Sequence, residues 1–208
     1  RESHLVSDWT LMTPTLEEVV LLDSDGTPIG TAPKSSVHGV DTHLHLAFSC
    51  HVFDDDGRLL VTRRALGKSA WPGVWTNSFC GHPAPAESLL DAVRRRGGHE
   101  LGIQLTDIRP VLPHFRYRAV DAAGIVENEI CPVYPARTSD VPTPHQDEVI
   151  EFEWVEPDAL AASIRSTPWA FSPWLVLQAD LLPFLGGAPR ASANEGARDL
   201  VATAPGQP

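Results

Sequence analysis

The sequence predicts an α+β fold, a mixed-sheet sandwich with few helices. Three observations support it: β-rich runs open the chain and dominate it, short acidic or glycine turns join several of them, and only three segments carry helical signals. Regular strand–helix alternation is absent, which argues against a doubly wound parallel sheet. A length of 208 residues suits one domain. We place it at residues 16–185, between an N-terminal tail (1–15) and a C-terminal tail (186–208). The latter is rich in Ala, Gly and Pro without sustained apolar periodicity, and reads as disordered.

The first strand is expected at Glu18–Leu22, stopped by the turn composition of Asp23-Ser-Asp-Gly26. A hairpin follows, with Leu44–Phe53 and Arg58–Arg64 flanking the acidic turn Asp54–Gly57. Between Lys68 and Asn77 there are too many turn formers for regular structure, so a structured loop is expected to lead into Ser78–Pro83. From Glu87 to Leu101 the spacing of Leu89, Leu90 and Val93 predicts an amphipathic helix, weakened by Gly97 and Gly98. Strands are expected at Arg109–Ala119, Ile125–Ala136 and Glu148–Val155, the first two joined at the turn Asp121–Gly124. Helices then start after Pro157 and at Trp174–Leu182, the last entered through Ser172 as cap and Pro173 in the first turn.

Composition excludes several classes of function. Acidic residues outnumber basic ones 27 to 16, a net charge of −11, which opposes binding to nucleic acid or an anionic membrane. No apolar run reaches the roughly 20 residues of a membrane span, and the first residues lack a signal peptide's apolar core. A soluble, cytoplasmic protein is expected. Cys50, Cys80 and Cys131 have no CxxC spacing, so free thiols are the default. Phosphate-loop and dinucleotide glycine motifs are absent.

Several groupings carry chemistry. In Ile125–Cys131 the period-two alternation of a strand puts Glu127, Glu129 and Cys131 on one face. An isolated Glu-x-Glu is usually a solvated face, but on an inward face two repelling carboxylates favour a divalent cation. Cys80 and His82 share a side of Phe79–Pro83, with Gly81 allowing close approach. His38, His43 and His45 precede the hairpin, and imidazoles combined with carboxylates suit Mn, Fe or Zn. Arg63, Arg64, Lys68 and, further off, Lys34 are local cations in an acidic chain, with Arg64 suited to clamp a phosphate. Arg94–Arg96 form a second cluster on the predicted helix.

Taken together, six collinear segments resemble the type 1 isopentenyl diphosphate isomerases of the Nudix superfamily: His38–Phe48, Leu60–Ala65, Trp71–Pro83, Phe115–Ala119, Val126–Val133 and Ser172–Trp174. The resemblance spans about residues 18–180. It implies a Nudix α/β/α sandwich and reversible interconversion of isopentenyl and dimethylallyl diphosphates, a small-molecule isoprenoid substrate with no obligatory protein partner. By the same resemblance His38, His45, His82, Glu127 and Glu129 hold one divalent ion (Mn, Mg or Zn), and His43 is not a ligand. Glu100 would help hold a second ion, Mg, against the diphosphate, which Lys34, Arg64, Lys68 and Arg96 would face. Cys80 and Glu129 would exchange protons with the two faces of the substrate, Tyr117 would assist near Glu129, and Trp174 would cover the hydrocarbon end, where its π face favours a developing cation.

One departure bears on the alternatives. The Nudix consensus GX5EX7REUXEEXGU runs from Gly81 to Ile103, but its REUXEE core is here Arg95-Arg-Gly-Gly-His-Glu100, keeping of its three acids only the final Glu. Hydrolysis of a diphosphate needs several carboxylates for Mg and water activation, so it is disfavoured. A pyrophosphohydrolase and a silent metal- or diphosphate-binding module are the competing readings, the second motivated by how loosely Gly97-Gly98 would present Glu100.

Overall fold

The computed structural model describes residues 17–187 and 200–203, so most of the two expected tails lies outside the described residues. β1 (Glu18–Leu22) and β2 (Pro28–Pro33) form an antiparallel hairpin. Its turn is held by Asp23 Oδ1, which accepts from the backbone N–H groups of Asp25 and Thr27 at 3.0 and 2.8 Å. A short helix, α1 (Lys34–Val37), leads to β3 (His45–Leu46) and β4 (Phe48–Phe53), then β5 (Leu59–Arg64), β6 (Trp75–Thr76) and β7 (Phe79–Gly81). After α2 (Leu89–Leu101) come β8 (Arg116–Val120), β9 (Val126–Ile130), β10 (Val133–Arg137) and β11 (Val149–Val155), followed by α3 (Pro157–Ser166), α4 (Pro173–Ala179) and β12 (Leu200–Thr203).

Two mixed sheets result, one ordered β12-β8-β9-β3-β1-β2 and the other β10-β4-β5-β11, with β6 and β7 attached to β5 and β4. The second sheet is covered on both faces, and strand alternation decides which residues go where. Phe48, Cys50, Leu60 and Phe79 pack with Val93 and Leu101 of α2. Leu59, Val61 and Val133 pack on the other side with Tyr117, Trp174 and Leu175, beneath α3 and α4. This is an α+β arrangement with mixed sheets, as expected.

Two of the expected strands are each divided between sheets. The run at Leu44–Phe53 leaves the first sheet as β3 and enters the second as β4, and the run at Ile125–Ala136 does the same as β9 and β10. The two runs cross side by side and in parallel: His45 lies opposite Glu129 in the first sheet and Ser49 opposite Val133 in the second. Between them Ala47 N–H donates to Ile130 O and Ser49 N–H to Pro132 O. Pro132 has no N–H for a ladder, which suits it to the crossing point.

The strand expected from Arg109 begins only at Arg116, because Pro110 and Pro113 interrupt it; residues 106–112 instead make isolated bridges to β10. The last helix stops at Ala179 rather than Leu182. The C-terminal tail is not wholly outside the fold, since β12 pairs in parallel with β8, from Leu200 opposite Tyr117 to Thr203 opposite Val120.

α2 runs unbroken through both glycines, from its Ser88 cap to Gly102 in the left-handed region at φ 65°. Only one glycine is required by packing. A Cβ on Gly97 would lie 2.9 Å from Leu105 Cδ1 and 3.3 Å from Phe79 Cζ, whereas a Cβ on Gly98 would meet nothing within 4 Å.

Candidate active site

The crossing of the two runs brings the polar side chains together. Tyr117 lies opposite Glu129 and Ala119 opposite Glu127 across β8 and β9, and His45 lies opposite Glu129 from the other side. Cross-strand pairing therefore puts His45, Tyr117 and Glu129 on one face, with Glu127 two residues along. His38 arrives just after α1, where Gly39 bridges Val126, and His82 follows β7.

The three imidazoles enclose a common point, with ring centroids 5.1 Å apart for His38 and His45, 5.1 Å for His45 and His82, and 5.7 Å for His38 and His82. Glu129 Oε1 lies 3.1 Å from His82 Nε2 and 3.4 Å from His45 Nε2, and Glu127 Oε2 lies 2.9 Å from His38 Nε2. One ligand atom from each of His38, His45, His82 and Glu129 falls within 4.8 Å of the others. Yet His38 Nε2, His45 Nε2, His82 Nδ1 and Glu127 Oε2 are buried with no hydrogen-bond partner of acceptable geometry. Buried polar atoms are rarely left so, and a convergent N/O set of this kind fits a divalent cation.

His43, whose ring is exposed, contributes its carbonyl: His45 Nδ1 lies 2.9 Å from it. Donation to that carbonyl fixes the tautomer and leaves Nε2 a free lone pair toward Glu129. Burial would raise the Glu129 carboxyl, but the His45 and His82 imidazoles set against it hold it well below the ordinary range, so it is a carboxylate at neutral pH. Burial lowers His82 to about 4, which keeps its ring neutral. Tyr117 donates to Glu129 Oε2 at 2.9 Å.

His38, His82, Tyr117, Glu127 and Glu129 form one end of a cavity of about 130 Å³, with His45 buried behind them, and the cavity is also lined by Cys80, Trp174 and all four expected cations. Cys80 Sγ sits 3.3 Å from Ser49 Oγ, and burial pushes the thiol up to about 12. Trp174 is 2% exposed, with its indole N–H donated to Asn77 Oδ1 at 3.0 Å. The Arg64 guanidinium lies 5.2 Å from the Trp174 ring centroid and is aimed by the carbonyls of Ala70 and Trp71, at 2.8 and 3.1 Å. Arg63, on the opposite face of β5, turns away to Gly73 and Glu151.

The remaining cations are paired with carboxylates. Lys34 Nζ meets Glu17 at 2.6 Å, Lys68 pairs with Glu148, and Arg96 binds Glu100 at 2.6 Å and Glu148 at 3.1 Å. Burial opposes the charge on Glu148, but Lys68 and Arg96 prevail and hold it down to about 2. The expected metal role of Glu100 finds no contact here: its buried carboxylate accepts from Arg96 and stands outside the four-residue His/Glu group. Glu148 was not visible as a site residue, because an acid preceding a strand carries no local signature. Ser49, Asn77 and Gln178 were missed for the same reason.

Comparison with known proteins agrees with this geometry. The NUDIX domain model matches residues 43–175. An isopentenyl-diphosphate Delta-isomerase from Agromyces mediolanus is 77% identical over 171 residues, covering 82% of this chain and 83% of its own. One of the same name from Clavibacter sepedonicus is 60% identical, covering 89% of this chain and 95% of its own. The crystal structure of DR0079 from Deinococcus radiodurans shares the fold, with a TM-score of 0.56 at 20% identity over 72% of this chain and 90% of that one. With a NUDIX domain over more than half its length and relatives this similar over most of theirs, the chain belongs to the isopentenyl-diphosphate Delta-isomerase family of NUDIX-domain proteins.

Proposed function

We propose that the chain interconverts isopentenyl and dimethylallyl diphosphates by proton addition at one alkene carbon and proton removal at another. The observation that carries this reading is one small cavity lined by a thiol, a carboxylate with a tyrosine hydroxyl on it, an indole and four cations. In this reading Arg64, Lys68, Arg96 and Lys34 bind the diphosphate, which seats the five-carbon chain beneath Trp174 and between Cys80 and Glu129. Glu129 with Tyr117 moves a proton on one face and Cys80 on the other, and the direction of reaction decides which group gives. The buried indole excludes water from the carbocation-like state and places π density beside it.

His38, His45, His82, Glu127 and Glu129 would hold a divalent ion, Mn, Mg or Zn, supported by their unpartnered buried atoms. When bound, that ion supplies positive charge that lets two neighbouring carboxylates stay ionised and tunes the proton affinity of Glu129. A second Mg would accompany the substrate diphosphate; for Glu100 to share it, the carboxylate must turn partly away from Arg96. Hydrolysis is the weaker reading, since Arg96 and His99 stand where a hydrolase has acids. Among the described residues no helix is long and apolar enough to cross a membrane. A cytoplasmic setting is proposed with the activity, supported by three free cysteines.

The test is incubation with isopentenyl diphosphate in D₂O with Mg and Mn, followed by NMR. Dimethylallyl diphosphate carrying solvent deuterium, lost on chelation, is the expected product. Release of phosphate or pyrophosphate without isomerisation would select the hydrolase, and binding without turnover the silent module.

A further inference from the structure

Behind Cys80 lies a chain of buried polar side chains that the reading above does not use. β4 and β7 are antiparallel with Ser49 directly opposite Cys80, so the hydroxyl and the thiol share a face by register. Ser49 and Gln178 are fully buried and His51 is 1% exposed. His51 Nε2 lies 2.9 Å from Gln178 Oε1, and Gln178 Nε2 donates to Ser49 Oγ at 2.9 Å. Polar groups placed this deep are costly unless each hydrogen has an acceptor, so the donors can be counted.

An amide oxygen only accepts, so His51 must carry its hydrogen on Nε2. Burial holds that imidazole down to about 4 and keeps it neutral, with a single N–H to give. Gln178 passes the direction on, and Ser49, having accepted, retains one hydrogen of its own. Two sulfurs are in reach of it, Cys80 at 3.3 Å and Cys131 at 3.4 Å. Asn77 Nδ2 also lies 3.4 Å from Cys80 Sγ, but its two amide hydrogens have shorter bonds to Cys50 O at 3.0 Å and Phe79 O at 2.8 Å, which leaves Ser49 the nearer donor. Asn77 Oδ1, 3.4 Å from Cys80 Sγ, is an acceptor for the thiol hydrogen.

We infer that His51, Gln178 and Ser49 form a one-way hydrogen-bond relay that aims a single hydrogen at Cys80 Sγ, which makes Ser49 a positioning residue for the isomerisation. The inference rests on the reading of Cys80 as a proton-exchanging group. While Cys80 holds its proton, the S–H points to Asn77 Oδ1 and Ser49 is free to turn to Cys131. Once the proton is on the substrate, the sulfur carries the charge and Ser49 swings to it. No proton travels along the relay; only the Ser49 hydroxyl rotates. A hydrogen bond made in that one state lowers the barrier without tightening substrate binding.

The test compares Cys80→Ala, Ser49→Ala, Gln178→Glu and the Ser49→Ala/Gln178→Glu double variant in steady-state isomerisation of isopentenyl diphosphate. Gln178→Glu keeps the shape but replaces the donor by an acceptor, which would capture the Ser49 hydrogen. Both single variants are expected to lower kcat about ten- to hundredfold with KM within about threefold, as suits a hydrogen bond to a charged group. The double variant should be no slower than the worse single one, because the two act as a unit. If Gln178→Glu does not fold, Ser49→Ala, the loss of one oxygen, decides alone. If Cys80→Ala stays fully active, the reading of Cys80 fails and the relay with it. If Cys80→Ala is inactive while Ser49→Ala keeps the wild-type kcat, or loses kcat only with a matching rise in KM, the relay alone is refuted.

Discussion

The two ends of the cavity solve opposite electrostatic problems. At the His/Glu end, three imidazoles and two carboxylates converge with several buried atoms lacking hydrogen-bond partners. At the cation end, Lys34, Lys68 and Arg96 meet carboxylates and Arg64 is held by two backbone carbonyls. The first end could have its ligand atoms satisfied by a cation; the second is satisfied by protein alone, and on the proposed reading would exchange partners to accept a diphosphate. Chemistry should therefore be concentrated at the first end and binding at the second.

Substitution of Glu129 by Gln is the largest blow to that division. It removes a converging anion and the acceptor of Tyr117, and kcat is expected to fall roughly thousandfold or more, with loss of stoichiometric divalent ion on metal analysis. Retention of both ion and rate would erase the contrast between the ends. Arg64→Ala tests the second end: KM should rise about ten- to hundredfold with kcat little changed. A kcat defect at normal KM would move Arg64 to the chemical end.

Smaller effects probe the helix and ion pairs that support the cation end. Gly97→Ala should cost about 1–3 kcal/mol by thermal or denaturant unfolding, because its methyl meets Leu105 and Phe79. Gly98→Ala should gain about 0.5–1 kcal/mol, since it adds helix propensity in open space. Equal effects would show that the helix relaxes around either residue. Glu148→Gln should cost about 1 kcal/mol at neutral pH, a figure reduced for the group's partial exposure. The carboxylate is depressed on folding, so its contribution is complete above its ordinary value near 4.5 and drains away as pH falls toward about 2. Acid unfolding curves of wild type and variant should therefore converge near the lower value, and curves that stay parallel would mean the ion pairs are idle.

Elements set by local chemistry were legible. The first strand, the helix expected at Glu87–Leu101 and the Ser172 cap each follow from residues within a few positions of one another. At the His/Glu end, short motifs singled out Glu127 with Glu129, Cys80 with His82 and the histidines from His38 to His45, but only the resemblance joined them into one ligand set. What local reading missed is set by distant partners: Leu44–Phe53 reads as one strand until β9 and β10 divide it between two sheets. The same holds for Glu148, whose importance lies in its contacts with Lys68 and Arg96, and for Gln178, which reaches Ser49 from 129 positions away. β12 was obscured by its Ala- and Gly-rich surroundings, which carry no pattern pointing to the edge of β8.

The side-by-side passage of the two runs from sheet to sheet also governs how the chain tolerates change. His45 meets Glu129 and Ser49 meets Cys80 through one continuous stretch of five residues. A strand's faces swap when its register moves by one residue, so a single insertion or deletion between positions 45 and 49 would disengage the imidazole from the carboxylate, or the hydroxyl from the thiol, with no partial remedy by side-chain adjustment. Length variation in this fold therefore belongs in turns such as Asp54–Gly57, while the span from His45 to Cys50 is fixed in its number of residues.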